Sequence, residues 1–145
     1  MSTLRNFLNR QNIGFLKIMA FYWRLDIHSQ NSEDCVDALQ RCMLDAGQME
    51  GCLSSCSDQA CEALASLSQK KGSMELNEFS ALYGEIRVMG LNRIEREEPW
   101  KVPVSAAEEL WYRGLIYQAM MEVQGELREC VCIPDDLLAV IGRSG

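Results

Sequence analysis

Histidine is nearly absent from this 145-residue chain, with His28 the single copy. That scarcity removes the usual base for a Cys or Ser nucleophile and the usual nitrogen ligand of a structural zinc. No Cys-x-x-Cys pair occurs among the seven cysteines, so the spacing of a zinc site is missing too. The glycines at 84, 90, 114 and 125 are dispersed, and there is no Gly-Lys-Ser/Thr Walker motif and no DEAD/DEAH box, which leaves no phosphate-cradling loop. Neither an internal repeat nor a low-complexity run occurs. The most apolar stretch, Ile13 to Trp23, is broken by Lys17 and falls short of the roughly 18 apolar residues of a membrane span. The N-terminus has basic residues but no small-residue cleavage site after its apolar run, so it does not read as a signal peptide. A cytoplasmic protein is expected, with thiols rather than disulfides. The cysteines are expected to be small core residues plus a few exposed thiols, with no metal and no cofactor.

A chain of this length makes one domain or slightly more and buries roughly 68–70% of its unfolded surface, so it needs no metal or disulfide to fold. Lys and Arg number 14 against 21 Asp and Glu, a net charge of -7. Coating nucleic acid or anionic membrane by charge alone is therefore disfavoured. The charge is unevenly spread. Residues 1–30 carry Arg5, Arg10, Lys17 and Arg24 against Asp26 and form the one basic tract, whereas residues 31–80 hold three cations against nine acids.

Apolar spacings of three and four from Leu4 to Trp23 predict two short helices broken near Asn12 and Gly14. A third helix starts at Ser32, with Glu33 and Asp34 in its first turn and Cys35, Val36, Leu39, Cys42 and Met43 on one face, and Gly47 is expected to end it. Ser57 and Asp58 open a helix with Cys61, Leu64, Ala65 and Leu67 inward and Gly72 as its left-handed stop. Met74 to Leu76 suits a single extended bridge. Asn77 is expected to cap a short helix to Tyr83, burying Phe79 and Leu82. Residues 85–104 have no clear period and read as a long loop, packed down by Ile86, Val88, Met89, Leu91 and Ile94. Ser105-x-x-Glu108 is a capping box that launches a helix over 106–113, stopped by Gly114. Two strand-like runs, 115–120 and 127–133, flank a turn near Gln124-Gly125, and Pro134 and Asp135 introduce a last helix.

The order from residue 57 onward matches a winged helix, a three-helix module whose hairpin is the wing. The expected fold is mainly α within the α+β class: an N-terminal helical layer, residues 1–56, packed on a winged-helix module, residues 57–145, with the 85–104 loop inserted.

In a winged helix that reads DNA, the third helix enters the major groove and the wing touches the backbone or minor groove. Here that helix, expected to expose Glu108, Glu109, Tyr112 and Arg113, and the wing, with Glu122, Gln124, Glu126, Arg128 and Glu129, would bring acids toward phosphates. Protein–protein use is favoured over direct DNA reading on that count. The candidate partner- or nucleic-acid-binding residues are Arg87, Arg93, Arg96, Trp100, Lys101, Tyr112 and Arg113. Trp100, beside two prolines, reads as either a loop plug or an exposed hot spot. Glu95, Glu97 and Glu98 are a distant third reading as an acid/base cluster; a carboxylate run in a mixed-charge loop is ordinarily a solvated face.

The stretch GEIRVMGLNRIEREEPWKVPVSAAEELWYRGLIY, followed by the hairpin and CIPDDLLAVI, resembles a family of bacterial proteins related to XPB-type helicases. Its members carry a similar GEIR run, a REKPW-x-x-P-V-S-x-x-E-x-L-W-Y-R-G-L run and a following Y-I-P-D-D-L run. The opening LRNFLNRQNIGFLKIMAFYWRLDI is similar to their first helices, with Ala20 and Trp23 in matching places. The resemblance implies a non-enzymatic, winged-helix-containing accessory region, whose partner is another protein or the rest of a larger helicase-associated chain. Those proteins continue past the point where this sequence stops, so a fragment and a stand-alone short relative are both open.

Overall fold

Asn12 separates the first two helices. Its side-chain oxygen accepts from the Phe15 amide at 2.8 Å, so a new helix starts there instead of continuing the old one. The result is α1 (Leu4–Asn9), itself capped by Thr3, and α2 (Ile13–Tyr22). The structure is a computed structural model that describes residues 3–26, 28, 31–87 and 90–144. Asn31 caps α3 (Ser32–Met43), whose first-turn Glu33 and Asp34 favour its positive end. Gly47 does not end that helix. Leu44 closes it, and Asp45 at once caps α4 (Ala46–Ser55) by accepting from the Gln48 amide at 2.9 Å. The sequence pattern hides α4 because Met49 is its one fully buried residue.

Ser57 caps α5 (Asp58–Gln69), whose inner face is Ala60, Ala63, Leu64 and Leu67; Ala65 is exposed and Cys61 only half-buried, so the expected face is turned by a fraction of a turn. Lys71 and Gly72 both adopt left-handed backbone, and the Gly72 amide reaches back to the Leu67 carbonyl at 2.7 Å. Strand β1 (Ser73–Glu75) leads directly into α6 (Leu76–Tyr83), which has no side-chain cap; Asn77 lies inside its first turn rather than capping it. Phe79 is buried, but Leu82 points outward.

The segment expected to be a long packed-down loop contains α7 (Leu91–Glu97) and a 3-10 turn over Pro99–Lys101. Two helical turns that bury Ile94 are too short to register as a period. Glu98, in left-handed conformation before Pro99, ends α7 where proline disfavours continued helix. Val88 and Met89 lie outside the described residues, as do the side chains of Leu91 and Glu95. Ile86 packs against the core.

Helix α8 (Ala106–Tyr112) is followed by β2 (Tyr117–Val123) and β3 (Glu126–Cys132), joined by Gln124 and Gly125, both at positive φ, as a two-residue hairpin turn requires. The last helix, α9 (Asp135–Ser144), has Asp135 and Asp136 in its first turn. The sheet is antiparallel with order β1-β3-β2, pairing Tyr117 with Cys132 and Met74 with Val131. Among the described residues the molecule is mainly helical with this small sheet, an α+β architecture.

One apolar core runs across the expected boundary at residue 56. It joins Leu4, Phe7, Leu16 and Leu39 to Leu67, Leu110, Ile116 and Leu137. Phe7 stacks on Tyr117 with ring centroids 5.5 Å apart, and the Leu4 amide donates to Asp136 at 2.8 Å, which binds the first helix to the last.

Candidate partner-binding groove

Gly84 starts the path that builds the site. Its φ of 92° lets the chain turn so closely past Ser105 that an added Cβ would sit 2.4 Å from the Ser105 Cβ. The Ser105 hydroxyl then holds both sides: it donates to the Glu85 carbonyl at 2.7 Å and accepts from the Glu108 amide at 3.0 Å. The capping box is therefore half formed. The Glu108 side chain accepts instead from the Arg87 amide at 2.9 Å, from Arg87 Nε at 3.0 Å and from the Val104 amide at 3.3 Å. It is fully buried, not exposed on a recognition face. Burial alone would raise its pKa, but the hydrogen bonds from Arg87 and Val104 and the guanidinium charge outweigh burial and hold it below its ordinary 4.5.

Between the end of α2, the 3-10 turn and the start of α8 lies a groove of about 630 Å³. Phe21, Trp100, Pro103 and Val104 give it apolar walls, and Phe21 and Val104 remain 59% and 60% exposed. Glu109 and Arg113 of α8 also line it. Arg113 is held from several sides: its guanidinium lies 4.6 Å from the Tyr22 ring centroid, Nη1 donates to the Glu109 carbonyl at 3.1 Å, and Glu109 Oε1 is 3.7 Å away. Glu109 also accepts from the Ser57 amide and hydroxyl at 2.9 and 2.7 Å. The Arg113 carbonyl accepts from Trp23 Nε1 at 2.8 Å.

Of the seven residues singled out from sequence, the groove brings together Trp100, Lys101 and Arg113. Trp100 is half-buried against the core, and Arg113 is only 11% exposed. Tyr112 is no surface residue. It lies in the core against Phe15, where burial above all, together with the Glu108 charge, pushes its pKa up to about 12. Arg87 is bound to Glu108, Arg93 to Glu97 and Lys101 to Glu98, so these cations are already met by carboxylates; Arg96 is exposed on α7. The hairpin residues Glu122, Gln124, Glu126, Arg128 and Glu129, expected to form a wing, are exposed, and Arg128 bridges to Glu126 and Glu75.

Sequence reading missed Phe21, Pro103 and Val104 as groove residues. A signal existed for Phe21: α2 is apolar almost all round, more than one buried face uses, so part of its apolar surface had to remain at the surface. Nothing comparable marks Val104, which is placed by the turn at Gly84 and the Glu108 anchor.

Among the described residues no three His, Cys, Asp or Glu side chains converge as metal ligands, and no helix is long and apolar enough to cross a membrane. Fold and site together define a mainly helical α+β protein with a groove of mixed lining, in which Phe21, Trp100, Pro103 and Val104 stand beside Lys101 and a fixed arginine–glutamate pair. No protein-family model, curated protein or solved structure matches the chain.

Proposed function

We propose that the chain is a non-catalytic accessory module that mediates protein–protein contacts in a helicase-associated DNA-transaction protein, with residues 57–145 forming a winged helix. The order α5, β1, α6, α8, β2, β3 and the sheet order β1-β3-β2 support the winged-helix reading. The helicase association rests on the sequence resemblance alone.

The observation that carries the protein-contact reading is the burial of α8. Phe15 of α2 packs edge-on against Trp111 and tilted against Tyr112, each at 5.9 Å, and Trp23 caps the helix end at Arg113. The helix that would enter a DNA groove is covered by the protein's own N-terminal layer. Beside it the groove stays open, and its Phe21, Trp100, Pro103 and Val104 wall is complementary to apolar side chains of a partner protein, with Lys101, Glu109 and Arg113 available to polar ones.

The test is a photo-crosslinking residue at Val104 with a matched control at the wing residue Gln118. Adducts to one defined protein from the Val104 position, lost in Phe21→Asp, support the reading. No adduct, combined with tight duplex binding that weakens steeply with salt, overturns it. That second outcome favours the alternative, direct binding of double-stranded DNA, for which exposed Arg96 on α7 and the basic first helices provide the cations.

A further inference from the structure

The two edges of the three-stranded sheet are unlike. On one side β1 is three residues long and runs straight into α6, so little backbone is left open there. On the other side β2 is seven residues long. Its two-residue turn makes Val123 and Glu126 a hydrogen-bonded pair, and the pairs alternate from there. Tyr117, Ala119, Met121 and Val123 therefore bond β3, while Gln118, Met120 and Glu122 direct their amides and carbonyls away from it. The Ile133 amide, which donates to Gly72 at 2.8 Å on the β1 side, obeys the same alternation along β3. All three outward residues are exposed, and among the described residues no backbone hydrogen bond joins them to another element. Open edges of this length are ordinarily blunted by proline, lysine or a bulge. Strand β2 has none of these: its register runs unbroken from Tyr117–Cys132 to Val123–Glu126, and its single charge is Glu122.

We propose that the outer edge of β2 is a self-association surface, on which β2 of a second copy of this chain pairs antiparallel about a two-fold axis at Met120. The register follows from charge and size. With Met120 opposite Met120, Gln118 meets Glu122 of the second copy, an amide donating to a carboxylate, and symmetry makes this contact twice. On the other face Ala119 meets Met121 and Tyr117 meets Val123, small against large and aromatic against β-branched. No like charges are opposed. A register centred on Glu122 would set two carboxylates against each other, and only the register centred on Met120 pairs the whole strand.

Both faces of the hairpin have apolar surface for the second copy to cover. Ala119, Met121 and Val123 are only half-buried against the core, so the packed face is incompletely closed at this edge. On the open face Met120 is 61% and Leu127 72% exposed, and the two lie diagonal to one another across the hairpin. Pairing sets the second Met120 beside the first and joins both diagonals into one apolar stripe. The contact adds about six backbone hydrogen bonds to the sheet. It stands at the small end of specific interfaces, so the dimer forms as concentration rises. Its residues are not those of the groove, and the two surfaces are tested separately.

Sedimentation equilibrium of the purified full chain reads mass against concentration, and the mass should rise from one chain toward two. Met120→Pro removes an outward amide without breaking the β2–β3 ladder, and should hold the mass at one chain. Charge at the exposed Gln118 tests the register without touching the core. Gln118→Lys would face Glu122 of the second copy and tighten the dimer, whereas Gln118→Glu would oppose two carboxylates and loosen it, each by roughly two- to thirtyfold. The same two substitutions at Gln69, exposed at the end of α5, change net charge equally and should shift the dimer less. A photo-crosslinking residue at Gln118, the control position of the groove experiment, should join the purified chain to the segment around Glu122 of a second copy. A mass of one chain at every concentration overturns the proposal. So does a dimer that survives Met120→Pro, that responds alike to charge at Gln118 and at Gln69, or that crosslinks from Gln118 to a segment outside 117–123.

Discussion

The fully buried Glu108 carboxylate is held by Arg87, which donates both its backbone amide and its guanidinium to it across 21 residues of chain. A buried carboxylate without partners would cost several kcal/mol, so the contact is the anchor that fastens residues 85–104 to α8. It also turns Arg87 from a free surface cation into a structural one, while leaving its guanidinium one-third exposed at the protein surface.

Glu108→Ala should destabilise the protein by about 2–3 kcal/mol. The substitution strands the Arg87 and Val104 amides and leaves a cation without its carboxylate, although solvent reaches part of the guanidinium. A lower urea midpoint at unchanged slope is the expected reading; an unchanged midpoint refutes the anchor.

Acid should weaken the fold through the same group. Glu108 has a pKa below its ordinary 4.5 when folded, so the unfolded chain takes up its proton first as pH falls. The stabilisation is complete above about pH 4.5 and is lost as pH drops through the lowered folded value. Melting temperatures followed from pH 7 to pH 3 should fall in the wild type. The Glu108→Gln variant, less stable at pH 7, should lose less over that range.

Gly84→Ala should cost about 2–3 kcal/mol, since alanine at a φ of 92° is strained and its methyl group meets the Ser105 Cβ at 2.4 Å. Thermal melting checks this. Gly125→Ala, also at positive φ but in open space, should be hurt less.

Phe21→Ser should leave stability within about 0.5 kcal/mol, because the ring is 59% exposed, while reducing adduct formation from the groove. Measuring melting and crosslinking on the same sample separates the two effects. Loss of both together would make Phe21 a folding residue and not a contact residue.

Local signals in the chain placed most elements. Asn12, Ser57 and Ser105 are caps whose side chains need only an amide three residues on, and Gly72, Gly114 and Gly125 occupy positive φ where a short-range turn demands it. The same local rules misplaced the ends of α3 and α6. Asp45, which caps α4 through the Gln48 amide, and the strand that runs directly into α6 displace Gly47 and Asn77 from those boundaries. Helix α7 escaped notice because two turns are too short to make a period, even with Ile94 buried.

For the site, the sequence by itself determined that charge would be divided along the chain, that a capped helix would start at Ser105, and that a hairpin would follow it. These depend on contacts within a few residues. Only the tertiary structure decided what that helix faces. Whether Glu108, Tyr112 and Arg113 meet solvent or protein depends on α2 and on residues 85–87, which lie 20 to 100 positions away and reach α8 through Phe15, Trp23 and Arg87. A helical period tells which residues share a face, and the same period serves a face turned to DNA or a face turned to a second layer of the same chain. The burial of α8, and with it the shift of the open surface to Phe21, Trp100 and Val104, was settled by that packing.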